Sequence, residues 1–183
     1  MKLIKNLLSL VIIAIIILLI GRWYLGGFST PIATEKPMGP YTMAYVNFTG
    51  AYSKVGPIMT KLYDALSGAG IVSFTGIGIY YDDPAVISGK NLRSEVGAVV
   101  DSIDARKLDK NSADYKIKIV NGGNKVVIEF PYKNTFSYMV GPIKAYPIMT
   151  TYMTEKGYKL EIPRIELYDM VAKKIYFMAD IIK

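Results

Sequence analysis

Val140-Gly141-Pro142-Ile143 repeats Val55-Gly56-Pro57-Ile58, and each copy opens an amphipathic segment that follows an extended run. After the first copy, Ile58, Met59, Leu62, Ala65 and Leu66 recur at helical spacing, and Gly68 and Gly70 stop the pattern. Pro57 is tolerated in a first helical turn, where its missing N–H has no partner to lose. The second helix runs to about Lys156 and ends at Gly157. Tyr41 to Phe48 precedes the first helix as a strand, and strands at 71–81 and 95–100 follow it. Lys125 to Tyr132 precedes the second, and strands at 162–168 and 174–181 follow. The order strand–helix–strand–strand therefore occurs twice, which predicts a duplicated module. The expected class is α+β: one antiparallel sheet with both helices on one face. The other face is left free for a concave site at the pseudo-twofold seam.

Asp82-Asp83-Pro84 and Asn121-Gly122-Gly123-Asn124 are turns, with a short strand at 115–120 before the second. Residues 101–114 are charged and irregular. Gly76-Ile77-Gly78 is not a dinucleotide fingerprint, because no third glycine and no helix follow.

The N-terminus is of another kind. Asn6 to Gly21 carries no charge, with Lys2 and Lys5 before it and Arg22, Trp23 and Tyr24 after it. The run is slightly shorter than the roughly 20 residues that cross a bilayer. Snorkelling cations and interfacial aromatics extend it, which predicts a single-pass anchor over 1–26. A cleaved signal peptide is the rival reading; the bulky Gly21-Arg22-Trp23-Tyr24 and the lack of a prompt Ala-x-Ala site speak against cleavage. Lys2, Lys5 and the amino terminus against Arg22 and Lys36 mildly favour a cytoplasmic N-terminus and an exported domain. Residues 27–40, rich in Gly, Pro, Ser and Thr, read as a linker, leaving 41–183 as the folded domain.

Composition excludes much chemistry. The 183 residues contain no His and no Cys. Histidine-based nucleophile systems, His-ligated haem, His-containing zinc sites, thiol chemistry and Fe–S clusters are therefore ruled out. No metal or cofactor is expected. The net charge of +7 comes from dispersed Lys and Arg, with no basic run interleaved with aromatics, so nucleic acid is not an expected partner. A lipid surface is.

Within Pro163-Arg164-Ile165-Glu166-Leu167-Tyr168-Asp169, a period of two puts Ile165 and Leu167 on one face and Arg164, Glu166 and Tyr168 on the other. A carboxylate beside an aromatic ring needs compensation, either from a ligand or from a local pair with Arg164. Alternation leaves both readings open.

Thr49-Gly50-Ala51-Tyr52, Ile79-Tyr80-Tyr81-Asp82-Asp83-Pro84, Leu92-Arg93-Ser94-Glu95-Val96-Gly97 and Ile165-Glu166-Leu167-Tyr168, in this order, resemble the GyrI-like small-molecule-binding domain. That domain is the effector module of many bacterial multidrug-responsive regulators. With the N-terminal apolar run, Phe130-Pro131-Tyr132 and the Pro163–Tyr168 stretch, the resemblance is closer to a membrane-anchored branch of the family that includes a receptor for autophagy of the endoplasmic reticulum. The receptor role is not carried over, because the acidic tail that recruits that receptor's partners has no counterpart in this sequence.

The resemblance implies that Glu166 is a pocket acid for cationic, aromatic ligands. Tyr168 lies beside it, and Tyr45, Tyr81 and Tyr176 are candidates from facing strands. The implied function is non-enzymatic binding of a small amphipathic or cationic molecule. One alternative is a protein-interaction scaffold. The other is a GyrI-like hydrolase with Glu166 as general base, although the Trp of such a catalytic set is matched here only by Trp23 in the anchor.

Overall fold

The first helix, α1 (Lys2–Tyr24), is apolar and its described side chains lie mostly exposed, while every other helix and strand packs into one sheet-based core. This is a computed structural model, and it describes residues 2–24, 30–101, 103–110, 112–160 and 163–183. Ile4–Gly21 is long and apolar enough to cross a membrane. The interfacial roles expected of Arg22, Trp23 and Tyr24 rest on side chains outside the described set, and residues 25–26 of the expected anchor, residues 27–29 of the expected linker and Ile162 of an expected strand also lie outside it.

The sheet has eight antiparallel strands: β1 (Ala33–Met38), β2 (Tyr41–Thr49), β3 (Thr75–Tyr80), β4 (Arg93–Val99), β5 (Lys116–Val120), β6 (Gly123–Pro131), β7 (Arg164–Asp169) and β8 (Lys174–Asp180). Helices α2 (Val55–Gly68) and α3 (Ser137–Glu155) complete the fold. The order β1-β6-β8-β7-β3-β4-β2-β5 makes the duplication visible. One module contributes β6-β8-β7, the other β3-β4-β2, and they meet at the β7–β3 ladder. β1 precedes β2 in sequence yet pairs with β6, while β5 precedes β6 yet pairs with β2. Each module thus receives an edge strand from the segment leading into the other.

β1 lies within the stretch expected as a linker. Its Pro37 is compatible with pairing because β1 is an edge strand, where a missing N–H can face away from the ladder.

Two short links force the sheet to curl. Gly39-Pro40 joins β1 to β2, and Asn121-Gly122 joins β5 to β6; each pair sits near opposite ends of the strand order. A flat sheet would separate β1 from β2 by about 29 Å, whereas two linking residues reach only about 11 Å. The two links also touch: a Cβ on Gly39 would lie 3.1 Å from the Cα of Gly122. Curling fills the helix-free face with the protein's own side chains. Met43, Ile77, Val127, Leu167 and Met178 pack there, all 5% exposed or less.

Both helices cover the other face. On α3, Ser137, Gly141, Ala145, Met149 and Met153 recur every four residues and form one buried stripe against Phe130, Ile175 and Phe177. The helix starts three residues before the repeated Val-Gly-Pro-Ile. Ser137 Oγ accepts from the N–H groups of Lys133 and Asn134, and Asn134 Oδ1 accepts from Phe136, so a turn is already built there. Pro142 and Pro147 consequently lie inside α3, and the N–H donors they lack leave the Tyr138 and Ile143 carbonyls without their helical partners.

Candidate functional site

Glu166 lies at the junction of the two modules. It faces Gly78 across the β7–β3 ladder, and Tyr168 faces Gly76. The glycines are what let rings occupy this spot. A Cβ on Gly78 would fall 2.8 Å from the Tyr80 ring, and one on Gly76 would fall 3.2 Å from the Tyr168 ring and 3.3 Å from Met59 of α2. The Gly76-Ile77-Gly78 run is therefore a steric recess beneath two tyrosines.

The carboxyl group is 6% exposed and accepts from two phenols. Tyr146 of α3 donates to Oε1, and Tyr168 donates to Oε2. The Tyr80 and Tyr168 hydroxyls are 2.9 Å apart. Because the single Tyr168 proton is committed to Glu166, Tyr80 is the donor in that contact. The Tyr52 ring stands edge-on to Tyr80 at 4.8 Å, Tyr146 edge-on to Phe177 at 5.5 Å, and Tyr138 edge-on to Tyr168 at 5.4 Å. The acid is sealed in a phenol cage.

Burial pushes the Glu166 carboxyl above its ordinary range, and the two phenol hydrogen bonds pull part of the way back. Burial, with the neighbouring acid, holds Tyr146 and Tyr168 protonated far above the usual phenol value. The two phenol donors, one on each oxygen, favour the ionised carboxylate against that burial. Arg164 shares the strand face but does not pair with Glu166. Its Nη1 lies 3.7 Å from Met153 Sδ, and neither residue belongs to an ion pair among the described residues. A local Arg–Glu pair is thus not what compensates the acid.

The expected site residues divide. Glu166 and Tyr168 come together, but on the helix-covered face rather than the concave one. Tyr45, Tyr81 and Tyr176 lie on the opposite face. Tyr45 sits beneath Lys118 Nζ at 5.1 Å, Tyr81 donates to Glu95 at 2.7 Å, and Tyr176 sits beneath Lys36 Nζ at 4.9 Å. The reason is parity: Tyr176 pairs with Leu167, and Tyr45 is aligned through Gly97 with Ile77, so all three strands turn these rings away from Glu166.

Tyr80 and Tyr146 were missed in the sequence. Tyr146 carries a signal, since it falls three and seven residues before Met149 and Met153 on the helix. Tyr80 needed the β3–β7 register. No group of three potential metal-ligating side chains occurs among the described residues. The two best-formed surface hollows there are about 390 Å³ at Ile32, Pro147 and Tyr152, and about 280 Å³ at Phe48, Tyr81 and Glu95. Neither reaches Glu166.

Comparison with known proteins agrees with this architecture. Mouse testis-expressed protein 264 homolog is 25% identical over 155 residues, covering 81% of this chain and 48% of its own length. The human protein is 25% identical over 153 residues, covering 80% and 46%. The chain thus spans about half the length of these curated relatives. Among solved structures, the EcmrR C-terminal domain superposes with a TM-score of 0.63 at 14% identity, covering 85% of this chain and 99% of that one. EcmrR in its DNA complex gives 0.62 at 14% identity, covering 100% and 69%. These structural likenesses speak for the fold. Residues 34–181 match the GyrI-like small molecule binding domain as a family, and with most of its length inside that match the chain belongs to the GyrI-like family.

Proposed function

We infer that this GyrI-like domain binds a small cationic or amphipathic molecule at Glu166, without chemical turnover, while residues 1–26 tether it to a bilayer. One observation carries the reading: a carboxyl group 6% exposed whose hydrogen-bond partners are phenols and which has no cationic partner among the described residues. A delocalised cation would supply the missing charge, and the rings of Tyr80, Tyr146 and Tyr168 would add cation–π attraction. Entry requires the cage to open, by displacement of Tyr146 or of Tyr168. Proline-interrupted α3, which carries Tyr146 next to Pro147, is the element suited to move. The tether rests on Ile4–Gly21. A thermal-shift panel of lipophilic cations on the full chain in non-ionic detergent tests the reading: stabilisation of the wild type that is absent in Glu166→Gln supports it, and equal shifts in both remove Glu166 from the site.

A second reading has its own support. The filled helix-free face, and two surface hollows that both lie away from Glu166, suit an interaction module that uses the fold as a docking surface and has no ligand. No stabilisation by any cation in the panel would favour it.

A further inference from the structure

Arg164 and Glu166 are both charged, both lie beneath α3, and stand two residues apart on one face of β7, about 6.6 Å along the strand. Two opposite charges so placed ordinarily neutralise each other. Here both instead act on Tyr146: its hydroxyl donates to Glu166, and it is close enough to Arg164 to feel the guanidinium charge. Arg164 is left with the Met153 thioether, a weak acceptor, for a planar group carrying five N–H donors. Asp83 is near enough to act on it electrostatically, but no ion pair among the described residues joins the two. No side-chain nitrogen among the described residues is both sealed and unpartnered, so the free Arg164 N–H groups remain within reach of an incoming group.

The site is therefore bipolar. One end is an acid without a cation, and the other is a guanidinium without an anion. A purely cationic ligand would compensate only the first end. We propose that the ligand is a small zwitterion, its ammonium group seated on Glu166 among Tyr80, Tyr146 and Tyr168 and its carboxylate or phosphate on Arg164, with the two charges about 5–7 Å apart. This rests on the reading of Glu166 as a cation site and adds a specificity-determining residue to it.

The test is isothermal titration of the full chain in dodecyl maltoside micelles with 4-(trimethylammonio)butanoate and with its methyl ester, which differ only in the anionic charge. The wild type should bind the zwitterion about tenfold more tightly than the ester. Arg164→Gln should erase that preference without weakening the ester, Arg164→Lys should keep part of it, and Glu166→Gln should weaken both ligands. Equal wild-type affinity for the two compounds, or a preference that survives in Arg164→Gln, would overturn the proposal. In those cases an ester affinity still dependent on Glu166 would leave the cation site standing. Binding of neither compound overturns the proposal as well, and the lipophilic-cation panel then decides the cation site by itself.

Discussion

Glu166 of β7 stands directly opposite Gly78 of β3, and the space a side chain at Gly78 would fill is taken by the Tyr80 ring. The acid and its cage thus depend on a residue that has no side chain. Gly78→Ala would place a methyl group 2.8 Å from the Tyr80 ring, which is 9% exposed and has little room to retreat. The substitution should cost about 1–3 kcal/mol, the usual range for overpacking. It should also separate the Tyr80 and Tyr168 hydroxyls. Thermal melting of the chain in detergent reads the first effect, and a melting temperature equal to that of the wild type would show that Tyr80 is not confined as described.

Of the two phenols that donate to Glu166, Tyr146 comes from a helix and Tyr168 from the strand of the acid itself. Tyr146→Phe keeps the ring packed on Phe177 but removes the donor to Glu166 Oε1, leaving a buried carboxyl oxygen short of a partner. The expected loss is about 1–3 kcal/mol. Because the penalty comes from the acid, it should shrink in a Glu166→Gln background, and a double-mutant cycle on melting or urea unfolding measures that coupling. Strict additivity would mean that the two groups do not share a hydrogen bond.

Stability should depend on pH through Glu166. Burial raises its carboxyl in the folded chain above the ordinary value near 4.5. Above that ordinary value the unfolded chain has released the proton while the folded chain still holds it. The unfolded state then binds fewer protons, and stability falls as pH rises. The contribution is whole below about pH 4 and is lost as pH climbs through the raised folded value. Glu166→Gln cannot titrate, so its melting temperature relative to wild type should increase from pH 4 to pH 8. A constant difference across that range would contradict the buried acid.

The repeated Val-Gly-Pro-Ile motif makes an internal comparison possible. A Cβ on Gly141 would meet the Phe177 ring at 2.7 Å, whereas one on Gly56 would meet nothing within 4 Å. Gly141→Ala should destabilise by about 1–3 kcal/mol, while Gly56→Ala should be neutral or stabilise by up to about 1 kcal/mol through helix propensity. Opposite signs in paired melting curves are the expected outcome. Equal effects would mean that α2 and α3 approach the sheet alike.

The fold was legible in the sequence because both of its signals are local. The tetrapeptide echo marks the start of α2 and falls three residues inside α3, and alternation in runs such as Tyr41–Phe48 marks the strands. Glu166 and Tyr168 were legible because they share one strand. What could not be read was register. Whether Tyr80 or Tyr81 faces Glu166 depends on the pairing of β3 with β7, and the faces taken by Tyr45 and Tyr176 depend on their ladder partners Gly97 and Leu167, 52 and 9 residues away in the chain. β1 was hidden for a different reason. Its Pro37 and flanking Gly39-Pro40 carry linker chemistry, and only its place at the sheet edge makes that chemistry compatible with a strand.

Calorimetric titration of the full-length chain with tetraphenylphosphonium, run in parallel on wild type and Glu166→Gln at pH 7, addresses the central claim most directly. Saturable binding by the wild type, weakened at least tenfold in the folded variant, is the result expected if the caged carboxylate is the cation's counter-charge. Affinity unchanged by the substitution, or no binding by either protein, would contradict it.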